Sequence, residues 1–288
     1  MIKTILVPTS GSPTDHTVFD TALAVARPVN GHLRFLHLHL TPATAALEVP
    51  HYEFCRGAAI SSTLERLRQQ GQQLAERARE HVHAYCAEHH LRLRDVPDSA
   101  EGVTASWTEE RFMHLAQLLV HARHSDLTVL GRRHYKDHLP QGLIQDVLIG
   151  SGRPIVIASD HPPRALATIV VGWKEAREAA RALSAALPLL SQAQRIVLLG
   201  VAEEGSPSKE AYGDLARQLA WHGVNADVSV VGEGSCPAAT LLPEAAAGLG
   251  ADLLVVGSFG RTPLREALFG GVTRSLILDA PIPIFMVH

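Results

Sequence analysis

The sequence predicts an α/β fold of two tandem doubly wound domains, each with a five-stranded parallel sheet flanked by helices. Three observations lead there. Short apolar runs rich in Val, Ile and Leu alternate with stretches whose apolar residues recur every three or four positions. This is the pattern of strands buried on both faces and separated by amphipathic helices. The alternation restarts after residue 160, a period too long for a solenoid and suited to two similar domains. Finally, 288 residues are long for one domain and comfortable for two. Domains are expected at residues 1–160 and 167–288, joined by a short stretch that the pair Pro162 and Pro163 keeps extended.

In chain order, Ile2 to Pro8 is an apolar run closed by the turn residues Thr9 to Pro13, a first strand. Phe19, Ala22, Leu23 and Ala26 recur at helical spacing until Pro28 and Gly31 end the element. His32 to Leu40 is a second strand, and residues 41–59, with two prolines and little periodicity, read as a loop insertion. Leu64, Leu67, Gly71, Leu74, Ala78, Val82 and Tyr85 then mark one long amphipathic helix, despite a cost of about 1 kcal/mol for Gly71. Val103 to Thr108 is expected as the third strand and Phe112, Leu115, Ala116 and Leu119 as a helix. Leu127 to Leu130 follows as a strand, Leu143 to Ile149 as a short helix, and Pro154 to Ala158 as the fifth strand.

The second copy repeats this programme. Thr168 to Val171 matches Thr4 to Val7 in character, and Ala179, Leu183, Leu187 and Leu190 give the first helix. Ile196 to Val201 is a strand, Ala211 to His222 a helix, and Ala226 to Val231 a strand. Ala238, Leu241, Leu242, Ala245 and Leu249 mark a helix; Leu253 to Val256 and Ile282 to Val287 complete five strands, with a short helix from Val272 to Leu278 between them. In such a sheet a ligand is expected at the carboxyl ends of the strands.

Composition narrows the partners. With a formal net charge of −3 and a pI near 6.6, nothing in the overall electrostatics marks a nucleic-acid binder, and none is expected as a partner. The start turns polar too soon for a signal peptide, and no apolar run reaches the roughly 20 residues that span a bilayer. The expected location is the cytoplasm, with no membrane contact. Cys55, Cys86 and Cys236 lack metal-ligand or CxxC spacing and read as free thiols.

The most informative stretch is the last thirty-odd residues, where Leu253, Leu254, Val255 and Val256 run directly into Gly257, Gly260, Gly270 and Gly271. A glycine loop between a buried strand and a helix gathers backbone N–H groups at a helix N-terminus, which favours an anion such as phosphate. The plain alternative is a turn whose glycines serve tight packing alone.

These residues resemble the universal stress protein family in its tandem two-domain form. The resemblance rests on Lys3 to Ser12, on Ser151 to Ile157 and on the final loop, and covers nearly the whole chain. It implies an adenine nucleotide alpha hydrolase-like fold. The family pattern is GxxG, nine residues, then Gly followed by Ser or Thr; Gly257, Gly260 and Gly270 fit it, while Gly271 takes the Ser/Thr place and Thr273 matches a later hydroxyl position. The family's acidic residue after its first strand is missing from both copies: Ser10 stands there in the first and Lys174 in the second. In the first copy Gly131 begins the loop, but His134 and Ile144 replace the later glycines, so no family-type ATP site is expected there.

By this resemblance the second copy is a stress-response module that binds ATP or ADP, with Mg²⁺, and acts as a sensor or regulator. Gly257, Gly260, Gly270, Gly271, Val272 and Thr273 would line the phosphate side; Gly172, Trp173 and the backbone of Val201 would lie toward the base; Arg261 and Arg265 are within reach of phosphate. The family also pairs its fifth strands edge to edge. Pairing of Ile282 to Val287 with Pro154 to Ala158 would make the chain an internal pseudo-dimer and cover an aggregation-prone edge. A homodimer of such chains is compatible with this.

Other readings carry less. Fifteen of the 17 histidines lie within residues 1–161, with pairs at His37 and His39, His121 and His124, and His89 and His90. None fixes a third ligand by spacing, so no metal site is assigned. Ser10 to Asp15 faintly resembles the pyrophosphate-binding loop of related ATP pyrophosphatases but lacks its second glycine and final serine. No nucleophile and base are paired by spacing, so no catalytic residue is singled out and slow ATP hydrolysis is the most expected. The remaining alternative is a scaffold that has lost its ligand and meets an unknown protein partner through residues 41–59 and the long helix.

Overall fold

The computed structural model describes residues 1–40, 58–97, 102–112, 115–132, 142–202, 208–232, 238–258 and 271–288. The first half runs β1 (Thr4–Thr9), α1 (Asp15–Ala26), β2 (His32–Leu40), α2 (Ala58–Glu88), β3 (Arg92–Leu93), β4 (Thr104–Phe112), α3 (Leu115–Arg123), β5 (Leu127–Gly131), α4 (Leu143–Gly150) and β6 (Ile155–Ala158). The second runs β7 (Thr168–Gly172), α5 (Arg177–Leu190), β8 (Arg195–Val201), α6 (Lys209–Ala220), β9 (Ala226–Val231), α7 (Ala238–Gly248), β10 (Leu253–Gly257), α8 (Gly271–Asp279) and β11 (Ile284–Val287). Two elements depart from expectation. The two-residue β3 adds a sixth strand to the first half. Phe112, expected to start a helix, instead ends β4, because β4 pairs with β2 along its whole length, from His32↔Thr104 to Leu40↔Phe112. Partner-strand hydrogen bonds outweigh local periodicity there.

The strands form one eleven-stranded sheet in the order β3-β4-β2-β1-β5-β6-β11-β10-β7-β8-β9. Every neighbouring pair is parallel except one. The exception is the seam between the halves, where β6 meets β11 antiparallel with Ile284↔Ile157, Phe285↔Val156 and Met286↔Ile155 in register. The expected edge-to-edge pairing of the fifth strands thus occurs within the chain. It makes both apolar layers continuous: Val156 and Phe285 belong to the core on one face, Ile155, Ile157, Ile284 and Met286 to that on the other.

The two halves also share a bond that fixes the start of each central strand. Oδ2 of Asp126 accepts from the backbone N–H groups of Lys3 and Thr4, both at 2.9 Å, and Oδ2 of Asp252 accepts from those of Ala167 and Thr168, both at 2.8 Å. Burial pushes the Asp126 carboxyl up, but the hydrogen bonds from Thr4 and Lys3 outweigh it and hold the group below its ordinary range.

The long helix α2 spans the expected region and buries Ala75, Ala78, Val82, Tyr85 and Cys86. The Tyr85 hydroxyl donates to Asp20 on α1 at 2.8 Å, and burial pushes the Cys86 thiol up to about 11, as suits an inert core thiol. Residues 41–57 of the expected insertion lie outside the described residues, as do Cys55 and Cys236.

Candidate functional site

In each half the chain leaves the central strand in opposite directions, so the crevice lies between β1 and β5 in the first half and between β7 and β10 in the second. At the second crevice, β7 and β10 pair with Gly172 opposite Val256, which sets Gly172 diagonally beside Gly257. Sequence-distant residues expected on the base and phosphate sides therefore meet here.

Gly257 is a glycine for a steric reason. A Cβ there would lie 2.4 Å from the Ala179 nitrogen and 2.7 Å from the Glu178 oxygen, so the first turn of α5 packs directly on the end of β10. Ser258, fully buried, donates both its N–H and its hydroxyl to the Val287 carbonyl at 2.9 Å. Burial pushes the Glu178 carboxyl up, but its bonds to Arg177 and to its own backbone N–H win and hold it low. Gly271 opens α8, with Val272 and Thr273 in its first turn, and the first N–H groups of a helix have no partner within the helix. Gly260, Arg261, Arg265 and Gly270 lie outside the described residues.

Of the residues expected toward the base, Trp173 donates its N–H to the Leu199 carbonyl at 2.9 Å, and a Cβ on Gly172 would meet Leu242 and Val256 side chains at 3.0 Å. Val201 ends β8 next to Gly200. Sequence reasoning missed Tyr212. This α6 residue is 1% exposed and donates its hydroxyl to the Trp173 carbonyl at 3.4 Å. A Cβ on Gly200 would lie 2.0 Å from the Tyr212 oxygen, so the phenol occupies the space that Gly200 leaves open. Burial, then the Glu175 carboxylate, raises the pKa of this phenol, which stays a neutral donor.

The first half closes the same place differently. Thr4 pairs with His32 and Thr168 with Arg195, so Thr9 corresponds to Trp173 and His37 to Gly200. His37 is buried, and its Nδ1 lies 3.0 Å from the Thr9 carbonyl, with the imidazole stacked on Trp107 at 6.2 Å between centroids. At the start of α1, fully buried Asp15 accepts from the N–H groups of Ser10 and Gly11 in the preceding loop and from the Ser10 hydroxyl, at 2.8–3.2 Å. Its own carboxylate holds the donors that an anion would otherwise meet. Gly11 has φ of +76° and abuts α2, with the Leu74 oxygen 2.4 Å from a hypothetical Cβ. Gly131 ends β5, Ile144 is buried in α4, and His134 lies outside the described residues.

A cleft of about 390 Å³ lies at the ends of β5 and β6, lined by Thr14, Thr17, Arg132, Asp160 and His161 among others. Arg132 crosses the seam and donates to the carbonyls of Ala280 and Ile282, fastening the end of α8; burial lowers its guanidinium to about 10. Of the expected histidine pairs, His121 bonds Glu110 at 3.0 Å and His124 falls beyond α3. The His39 side chain lies outside the described residues, and His89 and His90 follow the end of α2. Among the described residues no group of three or more metal-ligating side chains occurs, and no helix is long and apolar enough to cross a membrane.

Fold and crevice together define a doubly wound α/β protein with two copies of one unit. The sequence profile of the universal stress protein family matches twice, over residues 1–151 and 153–288, and the chain belongs to that family in its tandem two-domain form. A universal stress protein from Archaeoglobus fulgidus DSM 4304 is similar at 16% identity and a TM-score of 0.65, covering 99% of this chain and 95% of that one. A functionally unknown protein from Pseudomonas aeruginosa PAO1 and a putative universal stress protein from Pseudomonas aeruginosa UCBPP-PA14 each share 16% identity at a TM-score of 0.52. Each covers 99% of this chain, which spans 92% and 93% of theirs. No curated protein matches the chain.

Proposed function

We propose that the second half binds an adenine nucleotide, ATP or ADP with Mg²⁺, at the β7/β10 crevice, and that the protein works as a nucleotide-responsive regulator in stress physiology rather than as an efficient enzyme. The observation that carries this reading is the meeting of Gly172 and Gly257 at the topological switch point, with the start of α8 following in the chain. Glycines permit close backbone approach, and a helix start offers N–H groups to phosphate. The residues fit the phosphate side on those grounds, with Gly257, Gly260, Gly270, Gly271, Val272 and Thr273 as its lining and Arg261 beside it. Gly172, Trp173 and Val201 form the base side. Mg²⁺ would arrive with the nucleotide and neutralise phosphate charge, which suits a loop whose only assigned cations are arginines.

Titration calorimetry of the full chain with ATP and Mg²⁺ tests the reading. One site per chain is expected, weakened roughly fivefold to tenfold in Thr273→Val, which removes a hydroxyl donor and keeps the shape. No heat at millimolar nucleotide would reject it. Thermal melting gives a second readout, since ligand at about 100 times its dissociation constant adds roughly 2.7 kcal/mol.

A further inference from the structure

The two ends of the sheet are finished differently. At one end β3 pairs with the start of β4, and beyond it β4 carries Glu109, Glu110 and Arg111, charges of the kind that keep an edge from pairing with another chain. At the other end β9 is the last strand in the order. Its six residues, Ala-Asp-Val-Ser-Val-Val, hold one charge and no proline. That charge is met within the chain, where Asp227 lies 3.8 Å from the Arg195 guanidinium.

The side chains of β9 are open as well. Leu33 pairs with Ala105 and its counterpart Ile196 with Ala226, so Trp107 corresponds to Val228 and Glu109 to Val230. In the first half this face lies under the 31-residue α2, whose Arg79 reaches Glu109 at 3.9 Å. The counterpart α6 has only 12 residues and leaves Val228 42% and Val230 41% exposed, on the face where Ala226 packs against the core. The backbone is free at the same two residues. The Val231 carbonyl accepts from the Ala202 N–H at 2.9 Å and so faces β8. Alternate residues face the other way, which turns the N–H and C=O groups of Val228 and Val230 outward.

We propose that β9 is a dimerisation edge, on which a second copy of this chain pairs its own β9 antiparallel about a two-fold axis and continues the sheet across both molecules. Three observations select a second copy as the occupant. The strand is self-complementary: turned about Ser229, Val228 meets the partner subunit's Val230 and Val230 meets the partner subunit's Val228. The exposed valines then cover one another, the outward backbone groups form hydrogen-bonded pairs, and each Asp227 lies opposite the partner subunit's Val231, away from the like charge. The chain also joins its own halves in this way, β6 and β11 pairing antiparallel with both core layers running on across the seam. Finally, with β6 and β11 spent on that seam and β3 and β4 flanked by Arg92, Glu109, Glu110 and Arg111, β9 is the edge left without protection among the described residues.

Sedimentation velocity of the full-length protein tests this, at concentrations either side of the roughly 10 µM dissociation constant that so small an interface implies. The wild type is expected to form reversible dimers. Val230→Lys should be monomeric at both concentrations and unfold thermally as the wild type does, because the lysine stands at an exposed position and puts a charge on the edge. Hydrogen–deuterium exchange supplies a second readout: residues 226–231 of the wild type should exchange more slowly at the higher concentration, which decides the matter even if Val230→Lys does not fold. A wild type that is still monomeric at about ten times that dissociation constant overturns the proposal. Dimers whose β9 exchanges equally fast at both concentrations overturn it too, since they form through another surface.

Discussion

In the first half the carbonyl that ends the central strand is held by a histidine of the neighbouring strand and the next loop is tied by the buried Asp15; in the second, a tyrosine from the following helix holds the carbonyl. Eleven residues on from Thr4 stands Asp15, and eleven on from Thr168 stands Ala179; the buried carboxylate in the first turn of α5, Glu178, bonds Arg177 and its own backbone N–H instead of a loop. Closing the strand-end carbonyl is a requirement of the fold, since both halves meet it, but the means is free to vary. The first half meets it with groups fixed in strand and loop and satisfies its own anion-binding donors. The second meets it with a buried phenol from the following helix, and keeps glycines at the crevice.

The strongest way to break this comparison is to separate the halves. Phe285 is fully buried at the centre of the seam opposite Val156. Phe285→Ala should cost about 3–5 kcal/mol, the usual penalty for truncating a buried aromatic. Because both core layers cross the seam, calorimetric unfolding of this variant should shift as one transition; loss of the second half alone would show the halves to be energetically independent.

Gly257→Ala comes next. The added methyl meets α5 backbone, which cannot swing aside as a side chain can, so a loss of about 3 kcal/mol is expected. Gly172→Ala meets only the tips of Leu242 and Val256 and should cost less, about 1 kcal/mol. Denaturant melts of the two variants check the ranking, and equal losses would remove the steric reason given for Gly257.

Asp126→Ala and Asp252→Ala probe the shared feature and should cost about 2 kcal/mol each, from stranding two backbone donors. The double variant should lose the sum, the sites being far apart along the sheet. The depressed Asp126 pKa adds a pH signature. Its stabilisation is present above the unfolded carboxyl value of about 3.9 and is lost as pH falls through the lower folded value. Acid melts should therefore show a smaller fall in stability below about pH 4 for Asp126→Ala than for the wild type. An identical fall in both would remove Asp126 from the account of acid sensitivity.

The smallest effect is expected for Tyr212→Phe, about 1 kcal/mol for one neutral hydrogen bond, measured by urea unfolding. A loss several times larger would mean that the variant disturbs the packing of the ring and not only its bond to Trp173.

Much of this was legible in the sequence because burial on both faces writes itself as uninterrupted apolar runs. Ile5 to Val7 and Leu253 to Val256 are almost wholly buried, and β2 and β9 have the bounds their composition implies. The pairing of the fifth strands was expected from the family resemblance, and the apolar Ile282 to Val287 run agrees with it, because it would otherwise form an open edge. What escaped was set by partners distant in sequence. Phe112 follows the hydrogen bonds of β2, and β3 exists only as a partner of Thr104 and Ala105. Tyr212 escaped because an aromatic in an amphipathic helix looks like any core residue; the available signal was Gly200, a glycine in an otherwise apolar strand, which marks a close approach. Asp126 and Asp252 carried a signal as well, each directly before a leucine-led strand in both copies.

The central claim is that the halves share a fold and divide in function at the crevice. A structure of the full chain soaked with ATP and Mg²⁺ tests it most directly. Nucleotide at the β7/β10 crevice, with phosphate beside Gly257 and the start of α8, Asp15 still bonded to Ser10 and Gly11 and no nucleotide in the first half, is the predicted result. Nucleotide between β1 and β5, or bound to neither half, would contradict it.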